Sequence, residues 1–321
     1  MKFIAEFCQN HNGDFKILER MVAEAAEAGA THGKIQTIYS DNLSFRPEFE
    51  AGVSAGGKVI AIKRPYRAEY DRLKKLELSP DDAEQFVKLC EKFKIVPMTT
   101  CFARNNLSEI EQVGFKSIKI ASYDCASYPM IREVAAKFDD IVISTGATYD
   151  SEIRKTCEIL KGRNFELLHC VTQYPTPLDA MNLARMGWLR QFTDNVGLSD
   201  HSLVARDEVW ACKVALYLGA TSLERHFTVL PADLTKDGPV SITSVHLNEL
   251  VRFSRLTNIE QQNELDEQHM RWRIMIGESE RKLTDEELLN RAYYRGRFGS
   301  RRPEGGGPSQ FIYNWEETPF C

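Results

Sequence analysis

No apolar stretch of this chain reaches the roughly 18 residues that a membrane-spanning helix needs, which excludes a helical membrane protein. Paired cysteine spacing is also missing. No two of the eight cysteines (Cys8, Cys90, Cys101, Cys125, Cys157, Cys170, Cys212 and Cys321) stand in a CxxC arrangement, which argues against a cysteine-built zinc site. Charge of one sign is scarce: 41 Lys and Arg against 46 Asp and Glu leave a net charge of −5, which argues against nucleic acid as the main partner. A secretory signal is excluded too, because Glu6 falls where its apolar segment would lie. The N-terminus reads instead as a strand that starts at once, and the protein as cytoplasmic. An even cysteine count allows disulfides, but in a chain of this kind reduced thiols are expected. Most of the cysteines sit inside apolar patterns and read as small core residues. No internal repeat is visible.

What is present is a chain of 321 residues, 43% hydrophobic and 27% charged, suited to one large core. Eight short apolar runs recur: Phe3–Cys8, Thr31–Thr37, Ile95–Thr100, Ser117–Ser122, Ile141–Thr145, Phe165–Cys170, Asn195–Asp200 and Ser222–Phe227. Helical patterns separate them, which predicts an α/β fold, a (β/α)8 TIM barrel over residues 1–257 with a polar C-terminal extension over 258–321. Such a barrel carries its chemistry at the C-terminal ends of its strands. At those ends stand Glu6, Lys34 and Gln36, Thr100, Lys119 and Ser122, Ser144, Thr172 and Tyr174, His201, and His226.

Between the runs, Ile17, Leu18, Met21, Val22 and Ala25 share a helix face that stops at Ala28-Gly29. Residues 38–78 read as an irregular insertion, either an active-site loop or a solvated excursion. Ser79-Pro80-Asp81-Asp82 reads as a helix start, and helices are predicted near Val204–Leu218 and Thr243–Leu256. In the extension, Asn258–Arg273 is polar, Thr284-Asp285-Glu286-Glu287 is a capping box opening a short helix, and an arginine-rich run from Arg291 to Arg302 precedes glycines 305–307. This segment is too polar to hold a core of its own. It reads as an appendage or an oligomer contact.

Three constellations carry chemistry. His201 and His226 end neighbouring strands and suit one divalent metal acting as a Lewis acid, with Asp200 or Glu224 orienting the rings. Lys34, Thr100, Lys119, Ser122 and Ser144-Thr145-Gly146 suit a small, doubly anionic ligand such as phosphoenolpyruvate. Lys119 has a rival role as a Schiff-base lysine. Glu6, a carboxylate near the barrel floor, is costly unless it is functional or paired: it is either an acid/base or the partner of Lys34 or Lys119.

At these residues the chain resembles the N-acetylneuraminate (sialic acid) synthase family. The matching stretches are Ile4-Ala5-Glu6 with Asn10-His11-Asn12-Gly13, Gly33-Lys34-Ile35-Gln36-Thr37, Lys119-Ile120-Ala121-Ser122, Ile143-Ser144-Thr145-Gly146, Leu168-His169-Cys170 with Tyr174-Pro175-Thr176-Pro177, Gly197-Leu198-Ser199-Asp200-His201, and Glu224-Arg225-His226-Phe227-Thr228. They run in family order over residues 3–256. The resemblance implies a transferase that condenses phosphoenolpyruvate with the open-chain aldehyde of an amino sugar, giving a 2-keto-3-deoxy sugar acid and phosphate. It implies His201 and His226 as ligands of Mn²⁺ or Mg²⁺. Lys34, Thr100, Lys119, Ser122, Ser144 and Thr172 would clamp phosphoenolpyruvate, with Ser199 beside them. Gln36, Asp124 and Tyr174 would face the sugar, Glu6 would be the acid/base, and a homodimer is implied. Two departures stand out. The family's Gly-Pro-Asp loop is here Asp237-Gly238-Pro239-Val240, so Asp237 is the candidate stand-in. For the small C-terminal antifreeze-like domain, which in the family lends an arginine to the partner's sugar site, no counterpart is expected. Segment Ser54–Arg67 and the arginines from Arg291 to Arg302 are the candidate replacements, and an aldose other than N-acetylmannosamine is the expected substrate. The rivals are a Lys119 aldolase and a silent sugar- or phosphate-binding relative.

Overall fold

The computed structural model describes residues 1–268, 271–302 and 310–317. Glycines 305–307 and Cys321 lie outside the described residues. Eight parallel strands close a barrel: β1 (Lys2–Cys8), β2 (His32–Thr37), β3 (Val96–Cys101), β4 (Ser117–Ile120), β5 (Asp140–Ser144), β6 (Phe165–Cys170), β7 (Val196–Asp200) and β8 (Ser222–His226). Each lies within two residues of its predicted run at either end.

Strand alternation explains both the core and the chemistry. In one phase Phe3, Ala5, Phe7, Ile35, Ile118, Ile120, Ile141, Ile143, Leu167, Leu198 and Leu223 join the large core under the helices. In the other phase Ile4, Met98, Val142 and Leu168 form a small apolar plug inside the barrel. Two residues further along those strands come Glu6, Thr100, Ser144 and Cys170, all of which line a cavity. The plug seals the floor and the polar layer stands on it.

The outer layer is α1 (Phe15–Glu27), α2 (Pro80–Lys92), α3 (Leu107–Val113), α4 (Tyr128–Lys137), α5 (Asp150–Ile159), α6 (Arg185–Leu189), α7 (Trp210–Tyr217) and α8 (Ser244–Ser254). The Ser79 cap forms as predicted, its hydroxyl accepting from the Asp82 N–H at 3.1 Å. The helix predicted near Val204–Leu218 is broken. Glu208 adopts φ 48, which ends the ladder of a short turn at Val204–Asp207 before α7 begins.

The insertion at 38–78 is not structureless. It holds a hairpin (Val53–Ala55 with Lys58–Ala61) and a helix (Tyr66–Lys74). The extension binds it from above the barrel. Helix α9 (Asn258–Gln268) sends Leu265 into the large core, joined by Trp272 and Met275, so the apolar core runs past residue 257. Helix α10 (Asp285–Tyr294) opens on the predicted Thr284 capping box. Beyond it, Ser44 Oγ donates to the Gly296 carbonyl at 2.6 Å, and Arg46 donates to the Ala292 and Arg295 carbonyls at 3.2 Å each. The rings of Phe49 and Tyr293 meet edge to face at 5.1 Å. Among the described residues no helix is long and apolar enough to cross a membrane, and the seven described cysteines are unpaired.

Burial holds three histidines neutral. His11, His32 and His169 are each pushed down from 6.5 to about 4, chiefly by desolvation. The unfolded chain therefore binds more protons below pH 6.5. Stability from this source is full above that value and is lost as pH falls to about 4, by up to about 3 kcal/mol per histidine. The urea midpoint is expected to fall steeply between pH 6.5 and 4.5. A flat midpoint over that range would contradict the assignment.

Candidate active site

A cavity of ≈ 1450 Å³, counting the space at its mouth, opens at the C-terminal ends of the strands. Its floor is an ionic network. Lys34 pairs with Glu6, donates to Thr100 Oγ1 at 3.0 Å and lies 3.4 Å from Glu224 Oε2. Lys119 donates to both Glu224 oxygens, at 2.6 and 2.8 Å, and Ser199 Oγ donates to Glu224 Oε1 at 2.8 Å. Burial pushes the Glu224 carboxyl up, but Lys119 and Lys34 outweigh it and hold the group well below the usual carboxylate range. Burial also pushes both ammonium groups down. For Lys34 the two carboxylates win and its pKa rises, whereas Lys119, with Lys34 beside it, ends lowered.

One wall carries the hydroxyls of Ser122 and Ser144. The Gly146 N–H donates to Ser122 Oγ at 3.1 Å. A side chain at Gly146 would come within 2.6 Å of Thr172 Cγ2 and 3.0 Å of the Cys170 carbonyl, so only glycine fits there. Nearby, Ser144 Oγ is buried with no hydrogen-bond partner, an unmet capacity that a ligand oxygen can fill.

The opposite wall carries the imidazoles. The rings of His201 and His226 are 5.2 Å apart, and Tyr174 packs edge-on against His201 at 4.3 Å. Burial, then the neighbouring His226, holds the His201 pKa well below its usual value. Nδ1 of His226 is buried without a hydrogen-bond partner and lies 4.0 Å from Asp237 Oδ2. That same carboxylate oxygen accepts from the Cys8 thiol at 3.0 Å. Burial, then the Asp237 and Glu6 carboxylates, raises the Cys8 pKa.

The insertion and the extension finish the mouth with Arg64, Arg72, Glu286, Asn290, Tyr294 and Arg297. Arg72 reaches Gln9 Oε1 at 2.8 Å and Glu69 at 2.9 Å, and Arg297 also pairs with Glu69. Lys236 lines the cavity nearby. Desolvation and then the Arg72 charge lower its pKa. Cations outnumber carboxylates at this rim.

The NeuB family model matches residues 21–265. A protein of Methanocaldococcus jannaschii is 31% identical over 260 residues, covering 79% of this chain and 69% of its own. The N,N'-diacetyllegionaminic acid synthase of Legionella pneumophila is 29% identical over 307 residues, covering 93% of this chain and 80% of its own. The chain belongs to the NeuB family. The solved N-acetylneuraminic acid synthetase of Leptospira borgpetersenii, in complex with citrate, superposes on this NeuB chain with a TM-score of 0.65 at 26% identity, over 91% of this chain and 90% of the other.

In this NeuB chain, twelve residues singled out from the sequence meet in the one cavity: Glu6, Lys34, Gln36, Thr100, Lys119, Ser122, Ser144, Tyr174, Ser199, His201, His226 and Asp237. Two do not line it. Asp124 is buried aside, its carboxylate accepting from Ser127 Oγ at 2.9 Å and Asn314 Nδ2 at 3.0 Å. Thr172 is used by its backbone, whose N–H donates to Glu287 Oε1 at 3.4 Å and whose carbonyl accepts from Asn290 at 2.9 Å. It fastens β6 to α10. Val240 is buried in a turn, so Asp237 is the carboxylate this loop brings to the cavity.

Asp200 and Glu224 do not orient the histidine rings. Asp200 is held by Arg225, by the Ser202 N–H and hydroxyl, and by Cys212, while Glu224 is held by the lysines and Ser199. Glu6 does form the pair with Lys34 that the sequence allowed. Sequence reasoning passed over Cys8 and Arg72, whereas Arg64 and Arg297, which line the cavity, fall within the segments Ser54–Arg67 and Arg291–Arg302 offered as replacement contacts. Cys8 had a signal: it stands two residues past Glu6, in the same strand phase. Arg72 had none, because it meets Gln9 only through the fold.

Proposed function

We propose that the protein condenses phosphoenolpyruvate with the open-chain aldehyde of an amino sugar, giving a 2-keto-3-deoxy sugar acid and phosphate. The observation that carries this is the pairing of walls in one cavity. Lys34, Lys119, Ser122 and the unpartnered Ser144 hydroxyl face a side rich in imidazole and carboxylate. The names of the Legionella and Leptospira relatives support the same chemistry.

In this reading the two lysines hold the phosphate and carboxylate of phosphoenolpyruvate, and Ser144 and Ser122 fix its orientation. The methylene carbon of phosphoenolpyruvate forms the new bond to the aldehyde carbon, water adds at its C2, and phosphate departs with its bridging oxygen. Glu6, paired with Lys34, takes the proton that this water releases, and the aldehyde oxygen gains a proton to become the new hydroxyl. His226, whose buried Nδ1 has no hydrogen-bond partner, fits a divalent ion, with the His201 ring 5.2 Å away, and such an ion, when bound, would polarise the aldehyde oxygen. Arg64 and Arg72 of the insertion and Asn290 and Tyr294 of α10 line the mouth.

The test is phosphate release from phosphoenolpyruvate across a panel of aldoses, with the product's mass determined. N-acetylmannosamine is expected to give a lower kcat/KM than a deoxy or differently acylated amino sugar, because Val240 replaces a polar contact. Release of phosphate with no aldose-dependent product, or none with any aldose, would refute the proposal.

A further inference from the structure

Three potential ligand atoms converge on one spot of the cavity wall. The Cys8 sulfur, a ring nitrogen of His226 and a carboxylate oxygen of Asp237 all lie within 4.8 Å of one another. The sulfur is 3.0 Å from Asp237 Oδ2, and His226 Nδ1, 4.0 Å from that oxygen, has no hydrogen-bond partner. All three belong to elements that the fold holds firmly. Cys8 ends β1, His226 ends the adjacent β8, and the two strands are registered at Glu6 and His226. Asp237 sits on the loop after β8, tied down by its own carbonyl accepting from Ser241 Oγ at 2.6 Å. His201 stands outside this convergent set.

We infer that Cys8, His226 and Asp237 form a thiolate-containing site for one divalent ion of the Zn²⁺, Co²⁺ or Fe²⁺ class. This rests on the proposed reaction only in naming the ion that such a site would use. The donor set decides the class of ion: a sulfur ligand suits a borderline or soft ion and is a poor partner for Mg²⁺, which takes oxygen donors in octahedral geometry. One thiolate, one imidazole and one carboxylate leave an open position for a substrate oxygen, as catalytic sites do. When the ion enters, the Cys8 S–H bond breaks, the sulfur–metal bond forms and the proton leaves to solvent. No electrons change hands.

The experiment uses the full chain, stripped of metal and titrated with Co²⁺ in the absence of phosphoenolpyruvate. One equivalent is expected to give an intense near-ultraviolet sulfur-to-cobalt charge-transfer band. Cys8→Ser should lose that band and bind Co²⁺ at least tenfold more weakly, Asp237→Asn should weaken binding with the band kept, and Cys170→Ser should change neither. Should Cys8→Ser disturb folding, X-ray absorption of the zinc-loaded wild type answers the same question, with a sulfur expected at about 2.3 Å. A cobalt complex with no charge-transfer band, a band surviving Cys8→Ser, or Mg²⁺ displacing Co²⁺ at equal concentration would overturn the inference. Phosphate release is measured separately. Turnover with an all-nitrogen-and-oxygen site leaves the function standing and removes the thiolate, whereas a sulfur-ligated ion without turnover on any aldose does the reverse.

Discussion

Lys119→Ala is expected to lower kcat/KM by at least about 10²–10³-fold, the loss typical of removing one fixed donor from a developing charge. Two effects combine. The ammonium that would hold the phosphoenolpyruvate anion is gone, and Glu224 is left buried with Lys34 at 3.4 Å and the Ser199 hydroxyl at 2.8 Å as its remaining partners. Stripping one member from a buried pair costs about 3–5 kcal/mol, so part of the loss will appear as instability. The double variant Lys119→Met with Glu224→Gln separates the two: it should recover stability and stay inactive. Calorimetry showing unchanged phosphoenolpyruvate affinity in Lys119→Ala would falsify the clamp. The lowered pKa of Lys119, caused by burial and offset only in part by Glu224, is the one feature that favours a Schiff-base lysine. Borohydride with a keto acid decides it. A covalent adduct on Lys119 would make the enzyme an aldolase.

The second large effect concerns stability alone. Arg225 and Asp200 form an ion pair of which both members are essentially shut off from solvent, at 2% and 0% side-chain exposure. Arg225 also donates to Ser202 Oγ at 2.9 Å. Arg225→Ala strands a carboxylate between β7 and β8, at a cost of about 3–5 kcal/mol. A typical domain has only about 5–15 kcal/mol in total. Urea unfolding should show a correspondingly lower midpoint, and Arg225→Met combined with Asp200→Asn should restore more than half of the shift. An unchanged midpoint in the single variant would mean that the pair contributes nothing.

The barrel was legible because each strand obeys two rules at once. Ile4, Met98, Val142 and Leu168 carry the apolar phase, and the residues two positions on carry chemistry, so a run of five or six residues reveals both its partner layer and its functional end. The caps at Ser79 and Thr284 were legible for the same local reason. Contacts between distant residues were not. Asp124 is taken out of the cavity by Asn314, 190 residues further along, and Arg297 reaches Glu69 across 228 residues. Cys8 was hidden differently: a thiol at the end of an apolar run has the hydropathy of a core residue, and only its neighbours His226 and Asp237 distinguish it. The break at Glu208 was invisible because the sequence pattern on both sides of it remains helical.

The clasp between the insertion and the extension sets an order of assembly on the ribosome. Ser44, Arg46 and Phe49 are made early and wait for partners near Ala292–Gly296, while Glu69 waits for Arg297. A nascent chain that has completed all eight strands still lacks Asn290, Tyr294 and Arg297 from the rim of its cavity. Translation thus delivers the floor first and the rim last, and a chain released before residue 297 would carry a closed barrel with an unfinished mouth.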